Sequence, residues 1–174
     1  MTKYIKQINT QENTLYNNII LLSRNKLFYT KFDLIDAFQN RIHLIFIHIS
    51  FIFIKIKQNH KNRIFKIFYQ NLFDLIFNNI ELNMREIGHG DTTINKNMRF
   101  LTKTFYNVLL HCEKYKKMNE EEKKVFLNKY LTQNNIKNNT NITAIVEYFN
   151  KYEAFCFDLS SDSVLKGELK FNYK

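Results

Sequence analysis

The sequence predicts an all-α fold, a single-domain bundle of about six helices with a short irregular C-terminal tail. The 174 residues include no proline and only 3 glycines, so few residues interrupt a helix. Apolar residues recur at helical spacing over long segments. Hydrophobic residues make up 45% of the chain, enough to build a core. We therefore expect one domain over 1–174, with its core over about 15–157 and its tail over 158–174.

The first two predicted helices lie in the N-terminal third of the chain. Apolar residues at i, i+4 and i+7 predict the first over about 12–25; they are Leu15, Ile19 and Leu22. The second begins at Asp33 or Asp36 and continues to about Lys57. Its most apolar run, 42–54, is shorter than the about 20 residues of a membrane span. Because this helix is apolar on most sides, we expect it to be central and buried.

The third and fourth helices are predicted to flank a glycine-containing turn. Their apolar faces cover about 64–87 and 93–117. Gly88 and Gly90 lie between them, and in a chain with so few glycines we expect both to adopt positive φ. Asp91, Thr92 and Thr93 follow, and any of them can accept hydrogen bonds from the first N–H groups of the next helix. The short loop and the matched apolar faces predict an antiparallel helix pair.

Two further helices and the tail complete the prediction. Asn119 precedes Glu122 by three residues, which is the spacing of a capping box and predicts a helix to about Leu131. An asparagine-rich loop over 132–141 leads to a last helix over about 142–157. The tail that follows contains the third glycine and is predicted to be irregular or extended.

The charge of the chain favours anionic partners. Twenty-six basic residues against 16 acidic ones give a formal net charge of +10. Such a field suits nucleic acid, anionic lipid headgroups or an acidic protein surface, and it does not choose among them. The candidate membrane-facing residues form what we call the basic cluster: Lys55, Lys57, Lys61, Arg63 and Lys66. Tyr69, Tyr115 and the Lys114–Lys117 run could extend it into a nucleic-acid surface, but we favour an ordinary solvated face.

Motifs of known chemistry are absent from the sequence. Glu86 and His89 form one ExxH pair, interrupted by Gly88, whereas a di-iron bundle needs that pair twice on continuous helices. No phosphate-binding loop or nucleophile-elbow motif occurs. Cys112 and Cys156 are far apart in sequence and are predicted to be free, buried thiols. We therefore expect no metal site, no cofactor and no catalytic residue.

The charged residues near the glycine turn predict a polar cluster. Glu81 lies four residues before Arg85, the favourable order for a helical ion pair. We expect Arg85, Glu86 and Asp91 to group around the turn, with Arg41 or Lys96 as partners from other helices. Such a cluster could either hold the turn in place or bind a partner protein.

A resemblance to a known family centres on the same turn. The sequence there reads Met84-Arg85-Glu86-Ile87-Gly88, followed by Gly90-Asp91. Further matching residues flank it: Leu72-Phe73-Asp74, Lys96, Met98 and Phe105-Tyr106. At similar spacings these residues are similar to the pattern LFD…LREMGVGD…K-x-M…AFYGR of the ubiquinol–cytochrome c chaperone family. That family comprises alphaproteobacterial and mitochondrial assembly factors for respiratory complex III. The resemblance covers about 15–171.

The chain departs from the family pattern at several positions. His89 stands in place of an apolar residue, and Asn107-Val108 stands in place of Gly-Arg. The absent arginine puts one basic contact of the family surface in doubt. The predicted helices are unaffected, because their apolar periodicity does not involve that residue.

The resemblance implies an all-helical, non-catalytic assembly chaperone that binds newly made cytochrome b and delivers it to complex III. The implied partners are cytochrome b and an anionic membrane surface, with no specific nucleic acid. The need for a second small chaperone subunit stays open. The implied location is peripheral, at the cytoplasmic face of a bacterial inner membrane or the matrix face of the mitochondrial one. Candidate residues for client binding or for the polar cluster are Arg41, Asp74, Arg85, Glu86, Asp91 and Lys96, and the aromatic surface candidates are Phe105 and Tyr106.

Two other classes of function remain open from the residues alone. A basic helical module that binds nucleic acid is the main alternative, and salt-dependent DNA or RNA binding would support it. An enzyme of the isoprenoid or quinone type is less favoured, because the acid pairs of the DDxxD kind that such helical enzymes carry are absent. Co-purification with a b-type cytochrome would distinguish the chaperone from both.

Overall fold

The computed structural model describes residues 10–58, 61–131 and 141–173 and confirms the all-α fold. No strand occurs within these ranges. The α-helices are α1 (Gln11–Ser23), α2 (Leu27–Thr30), α3 (Phe38–Lys57), α4 (Arg63–Glu86), α5 (Asp91–Lys114), α6 (Glu120–Leu131), α7 (Ile142–Asp158) and α8 (Ser161–Leu165). A 3-10 turn, Tyr115–Lys117, extends α5. Six of these helices have 12 residues or more, which agrees with the predicted bundle.

Helix α3 forms the centre of the bundle, as its all-round apolar character predicted. Of its 20 residues, 14 are buried. Helices α1, α4, α5, α6, α7 and α8 all pack against it. Buried polar side chains of α3 form hydrogen bonds with nearby groups. The Ser50 hydroxyl, for example, donates to the Phe46 carbonyl at 2.6 Å. Among the helices of the described ranges, none is both long enough and apolar enough to cross a membrane.

The segment before α3 differs from the prediction. The short helix Leu27–Thr30 has too few residues to produce a periodic pattern and was not expected. Asp33 adopts φ 52°, which is incompatible with a helix start at that position. Helix α3 instead begins at Phe38. Asp36, the other predicted start, lies before the helix and accepts two hydrogen bonds of 2.6 Å from Arg41.

The capping box that opens α6 is present as predicted. The Glu122 N–H donates to Asn119 Oδ1 at 2.9 Å, and the Asn119 N–H donates to Glu122 Oε2 at 2.8 Å. These reciprocal bonds satisfy N–H groups that the helix itself leaves unpaired. The asparagine-rich loop predicted after α6 falls, over 132–140, outside the described residues.

The tail is more ordered than expected, because α8 lies within it. Ser160 caps this helix by accepting a hydrogen bond of 3.0 Å from the Ser163 N–H. After α8 the chain turns at Gly167, which has φ +74° and lies against the start of α1. The Gly167 carbonyl accepts a 2.9 Å hydrogen bond from Asn18. The two ends of the described chain are therefore joined at α1.

Helices α4 and α5 form the predicted antiparallel pair. Phe73 and Phe77 of α4 each contact Phe105 of α5, with ring centroids 5.7 Å apart in both pairs. At the far end, Arg85 near the end of α4 pairs with Asp91 at the start of α5. Helix α5 also packs extensively on α3, so the α4–α5 pair is held against the central helix.

Candidate functional site

The turn between α4 and α5 is closed by backbone hydrogen bonds. Gly88 has the expected positive φ, +94°. Its N–H donates to the Arg85 carbonyl at 3.0 Å, and the His89 N–H donates to the Met84 carbonyl at 3.1 Å. This pair of bonds is a Schellman motif, which uses the orphan carbonyls at a helix end.

The expectation of positive φ at Gly90 is wrong. Gly90 has φ −73° and ψ 154° and is the N-cap residue of α5. An N-cap residue adopts extended backbone, and its carbonyl accepts the first hydrogen bond of the helix, here from the Ile94 N–H at 3.0 Å. A side chain at this position would meet open space. Gly90 is therefore not required by backbone geometry.

Arg85 links the two helices across the turn. Its Nε and Nη2 donate to Glu81 Oε1 at 3.1 and 2.8 Å, and its Nη1 donates to Asp91 Oδ1 at 2.6 Å. The hydrogen bonds that Arg85 donates to Glu81, and then the one it donates to Asp91, raise the pKa of the guanidinium above its ordinary value. The helical ion pair with Glu81 that the spacing predicted is thus present.

The other residues proposed for the polar cluster are not all brought together. Arg41 pairs with Asp36 before α3, because that carboxylate lies within direct reach. Asp74 accepts a hydrogen bond from Gln70 within α4, roughly four helical turns before Gly88. Glu86 and Lys96 are exposed near the turn, but the hydrogen bonds of the Arg85 guanidinium go to Glu81 and Asp91.

Apolar side chains flank this charged network at the surface. Leu82 is 56% exposed and Ile87 is 64% exposed, whereas Met84 between them is buried. We name the turn surface after the exposed and half-exposed residues that compose it: Glu81, Leu82, Arg85, Glu86, Ile87 and Asp91. It combines three carboxylates, one guanidinium and two apolar side chains on a turn held by its own backbone.

A second feature, the apolar groove, lies at the other end of the α4–α5 pair. It is a cavity of about 520 Å³ between the end of α3, the start of α4 and the end of α5. Its lining residues are Phe53, Ile56, Lys57, Phe65, Lys66, Tyr69, Tyr106, Leu109, Leu110 and Glu113. No pattern in the sequence predicted this groove, because its walls come from three helices that are separated along the chain.

The structure separates the two aromatic surface candidates. Tyr106 is about half exposed and lines the apolar groove. Phe105, in contrast, is fully buried, and its ring contacts Phe46, Phe53 and the aromatic rings of α4. Adjacent residues on a helix point about 100° apart, so one faces the core and the other the surface. Phe105 is therefore a core residue, and its assignment to the surface is corrected.

The basic cluster is divided by the end of α3. The Lys57 ammonium pairs with Glu113 of α5 at 2.8 Å, at the rim of the apolar groove. The Lys55 ammonium donates to the Phe157 carbonyl at the end of α7, at 2.6 Å. Both lysines of α3 therefore contact groups of the protein itself.

The remaining cations of the basic cluster point to solvent. Lys61, Arg63 and Lys66 are exposed at the start of α4 and just before it. Ile64 and Ile67, which are half exposed or more, lie among them. We call these five residues the basic edge. Exposed isoleucines interleaved with cations are typical of segments that lie on a membrane surface.

The buried histidines have structural partners. His48 Nδ1–H donates to the Leu44 carbonyl at 2.7 Å, and His48 Nε2 accepts from the Tyr148 hydroxyl at 2.8 Å. The Tyr152 hydroxyl donates to the His48 carbonyl at 3.3 Å. Complete burial lowers the pKa of His48 to about 4, so the ring is neutral. His43 bonds to the Tyr130 carbonyl, and burial lowers its pKa as well.

The cysteines and the other potential metal ligands do not form a metal site within the described ranges. Cys112 and Cys156 are free and buried, as predicted, and burial raises the pKa of both thiols. A buried neutral thiol is unreactive. Among the residues that the structure describes, no three His, Cys, Asp or Glu side chains group as metal ligands.

Comparisons with known proteins identify a matching family and a similar fold. The sequence model described as Ubiquinol-cytochrome C chaperone matches residues 30–171. The fold is similar to that in the crystal structure of the Cbp3 homolog from Brucella abortus, with a TM-score of 0.80 and 19% identity. That match covers 94% of this chain and 89% of the other. A search of curated proteins found no significant match. Since the family match spans most of the sequence, the chain belongs to the ubiquinol–cytochrome c chaperone family.

Proposed function

We propose that this protein is a non-catalytic chaperone that binds newly made cytochrome b and promotes assembly of the ubiquinol–cytochrome c reductase, respiratory complex III. Membership of the chaperone family supports the general role. The observation that carries the specific proposal is the turn surface, where the family resemblance is also strongest. We assign it as the client-binding site.

The geometry of the turn argues that its charged side chains do more than close it. The Schellman hydrogen bonds at Gly88 and His89 already fix the backbone. The side chains of Glu81, Arg85 and Asp91 are 38%, 47% and 78% exposed, and ion pairs this accessible to solvent contribute little to stability. Their charges therefore remain available to a partner, with Leu82 and Ile87 beside them as apolar contacts.

The sign of the charge suits a membrane-protein client. The turn surface carries three carboxylates against one guanidinium. Loops of membrane proteins on the cytoplasmic or matrix side carry an excess of Lys and Arg. A basic loop of the client can pair with Glu86 and Asp91 while an apolar segment next to it contacts Ile87.

Site-specific crosslinking tests this assignment. A photoreactive residue at Ile87, introduced into the full chain in native membranes, is expected to capture cytochrome b, identified by mass spectrometry and by its haem b spectrum. Val125 is the matched control, because it is exposed on α6, which follows the opposite end of α5. Equal capture from both positions, or none from Ile87, would overturn the client site. Recovery of nucleic acid in place of cytochrome b would favour the basic nucleic-acid-binding alternative, and capture of a small protein would identify a second chaperone subunit.

Replacing Arg85 with lysine should weaken client capture while leaving the fold intact. Lysine keeps the charge but cannot donate simultaneously to Glu81 and Asp91 in the same fork geometry. We expect cytochrome b crosslinked from Ile87 to fall several-fold, with the midpoint of thermal unfolding nearly unchanged. A large drop in that midpoint with capture preserved would mean that the network only holds the turn.

We further propose that the protein is peripheral, at the cytoplasmic face of a bacterial inner membrane or the matrix face of the mitochondrial one. The basic edge supports this proposal, because its cations can approach anionic headgroups while Ile64 and Ile67 enter the interface. The exposed isoleucines lie on the side of α4. With α4 along the membrane plane, the turn surface at its far end stays within reach of a client's loops.

Neutralising the basic edge should reduce vesicle binding. Each cation near the surface contributes up to about 1 kcal/mol, so changing Lys61, Arg63 and Lys66 to Gln should weaken binding to anionic vesicles by roughly a hundredfold. The matched control changes Lys103, Lys129 and Lys170 to Gln, which removes the same charge from exposed sites elsewhere. Co-sedimentation at increasing salt measures both. Equal losses in the two triple variants would show that net charge, not the basic edge, governs binding.

A further inference from the structure

We infer that the apolar groove binds a single-chain anionic amphiphile: one acyl chain with a negatively charged headgroup, of which a long-chain carboxylate is the simplest example. This inference concerns a different site from the turn surface and goes beyond the proposed chaperone function. It rests on the size of the groove, the character of its walls and the charge at its rim.

The size of the groove is that of a small-molecule site. A cavity of about 520 Å³ lies within the 300–1,000 Å³ range typical of ligand pockets. Its lining takes one turn each of α3 and α4 and about two turns of α5, so it is only roughly 10 Å long. A stable protein interface buries more than about 1,000 Å², which a cleft of this length does not provide by itself.

The walls are apolar and well supported. Phe53 and Tyr69 are in contact across the base, with ring centroids 4.1 Å apart, and Phe53 also packs on buried Phe105. Ile56 and Phe65 are buried beside them, while Leu110 is exposed at the mouth. Aromatic and aliphatic walls of this kind favour a hydrocarbon chain over a polar ligand.

The rim supplies charge complementarity for an anion. Glu113, the acidic residue of the lining, is paired with Lys57. Lys66, on α4, makes no ion pair within the part of the chain that the structure describes, and it is exposed at the mouth. Lys61 and Arg63 lie just before it and add to the positive potential. A headgroup that pairs with Lys66 would leave its acyl chain beside Phe65 and Tyr69, which lie on the same face of α4.

Fluorescence titration with cis-parinaric acid, an anionic acyl-chain probe, tests the inference on the full chain in the absence of vesicles. We expect saturable binding of one probe per chain. Leu110→Trp should fill the mouth of the groove and weaken binding by about tenfold or more, and Lys66→Glu should weaken it several-fold by reversing the rim charge. Val125→Trp and Lys103→Glu, at exposed positions on α6 and α5, are the matched controls and should bind like the parent.

Further ligands and variants separate this site from the other two. Lysophosphatidylglycerol should displace the probe, whereas zwitterionic lysophosphatidylcholine should do so poorly; equal displacement would overturn the anionic requirement. Leu110→Trp should leave both vesicle binding and cytochrome b capture from Ile87 unchanged, so failure here is distinguishable from failure of the proposed function. Parent-like probe affinity in Leu110→Trp, or no saturable binding to the parent, would overturn the site.

Discussion

Replacing Gly167 with valine is expected to lower the midpoint of thermal unfolding by roughly 10 °C. Gly167 has φ +74°, where a side chain costs about 1–2 kcal/mol. A Cβ there would also lie 2.7 Å from the Gln11 carbonyl oxygen and 3.0 Å from the Leu15 nitrogen. These atoms belong to the backbone of α1, so the clash is relieved only by moving that helix, at a further cost of about 1–3 kcal/mol. In a domain of this size each kcal/mol shifts the midpoint by about 2–4 °C.

The other two glycines provide graded controls for this prediction. Gly88→Ala should cost only the strain of positive φ, about 1–2 kcal/mol, because a Cβ at that position meets open space. Gly90→Ala should be nearly neutral, since its φ is negative and its surroundings are open. Differential scanning calorimetry of the three variants should rank them in this order. If Gly167→Val unfolds at the same midpoint temperature as the parent, the tail does not pack on α1 as described.

Acidification should destabilise the protein through His48, by up to about 3 kcal/mol between pH 6.5 and 4. Burial lowers the pKa of His48 from 6.5 to about 4 in the folded state. Between these values the unfolded chain binds a proton that the folded chain does not. The free energy of unfolding therefore falls as the pH falls through this window. Above pH 6.5 the ring is neutral in both states, and the full stability is present. His43 shifts in the same direction and adds to the effect.

Comparison with His48→Phe isolates this contribution. The variant leaves the buried Tyr148 hydroxyl without its acceptor, which should cost about 1–3 kcal/mol at neutral pH. It lacks the titrating ring, so its free energy of unfolding should decline less steeply on acidification. Urea unfolding at several pH values in the window measures both slopes. Parallel slopes for parent and variant would show that His48 does not account for the acid sensitivity.

The long helices could be predicted because each carries its own evidence along the chain. In α3, apolar residues on nearly every side indicated a central helix, and 14 buried residues confirm it. The capping box at Asn119 was equally local, since its two partners lie only three residues apart. The short helices α2 and α8 escaped prediction because four or five residues are too few to show a period.

The candidate sites likewise divide into those formed by neighbours in sequence and those formed by distant residues. The turn at Gly88 and the Arg85–Glu81 pair involve neighbours in sequence, so spacing alone revealed them. The Arg41–Asp36 pair could not be chosen in this way, because Asp36 lies in the non-helical segment before α3, where helical spacing does not apply. The apolar groove required the relative placement of three helices, and the tight approach of Gly167 to α1 joins residues about 150 positions apart.

The burial of α3 also determines when the chain can fold during its synthesis on the ribosome. Of the helices that pack on it, α1 precedes α3, and α4 to α8 follow. The nascent chain therefore displays a 20-residue apolar helix with few of its partners until α5 and α7 have emerged. The contact between Gly167 and Gln11 forms later still, because it joins the two ends of the described chain. The core is thus completed only once α5 and α7 are available, and synthesis interrupted before them would release a fragment with an uncovered apolar helix.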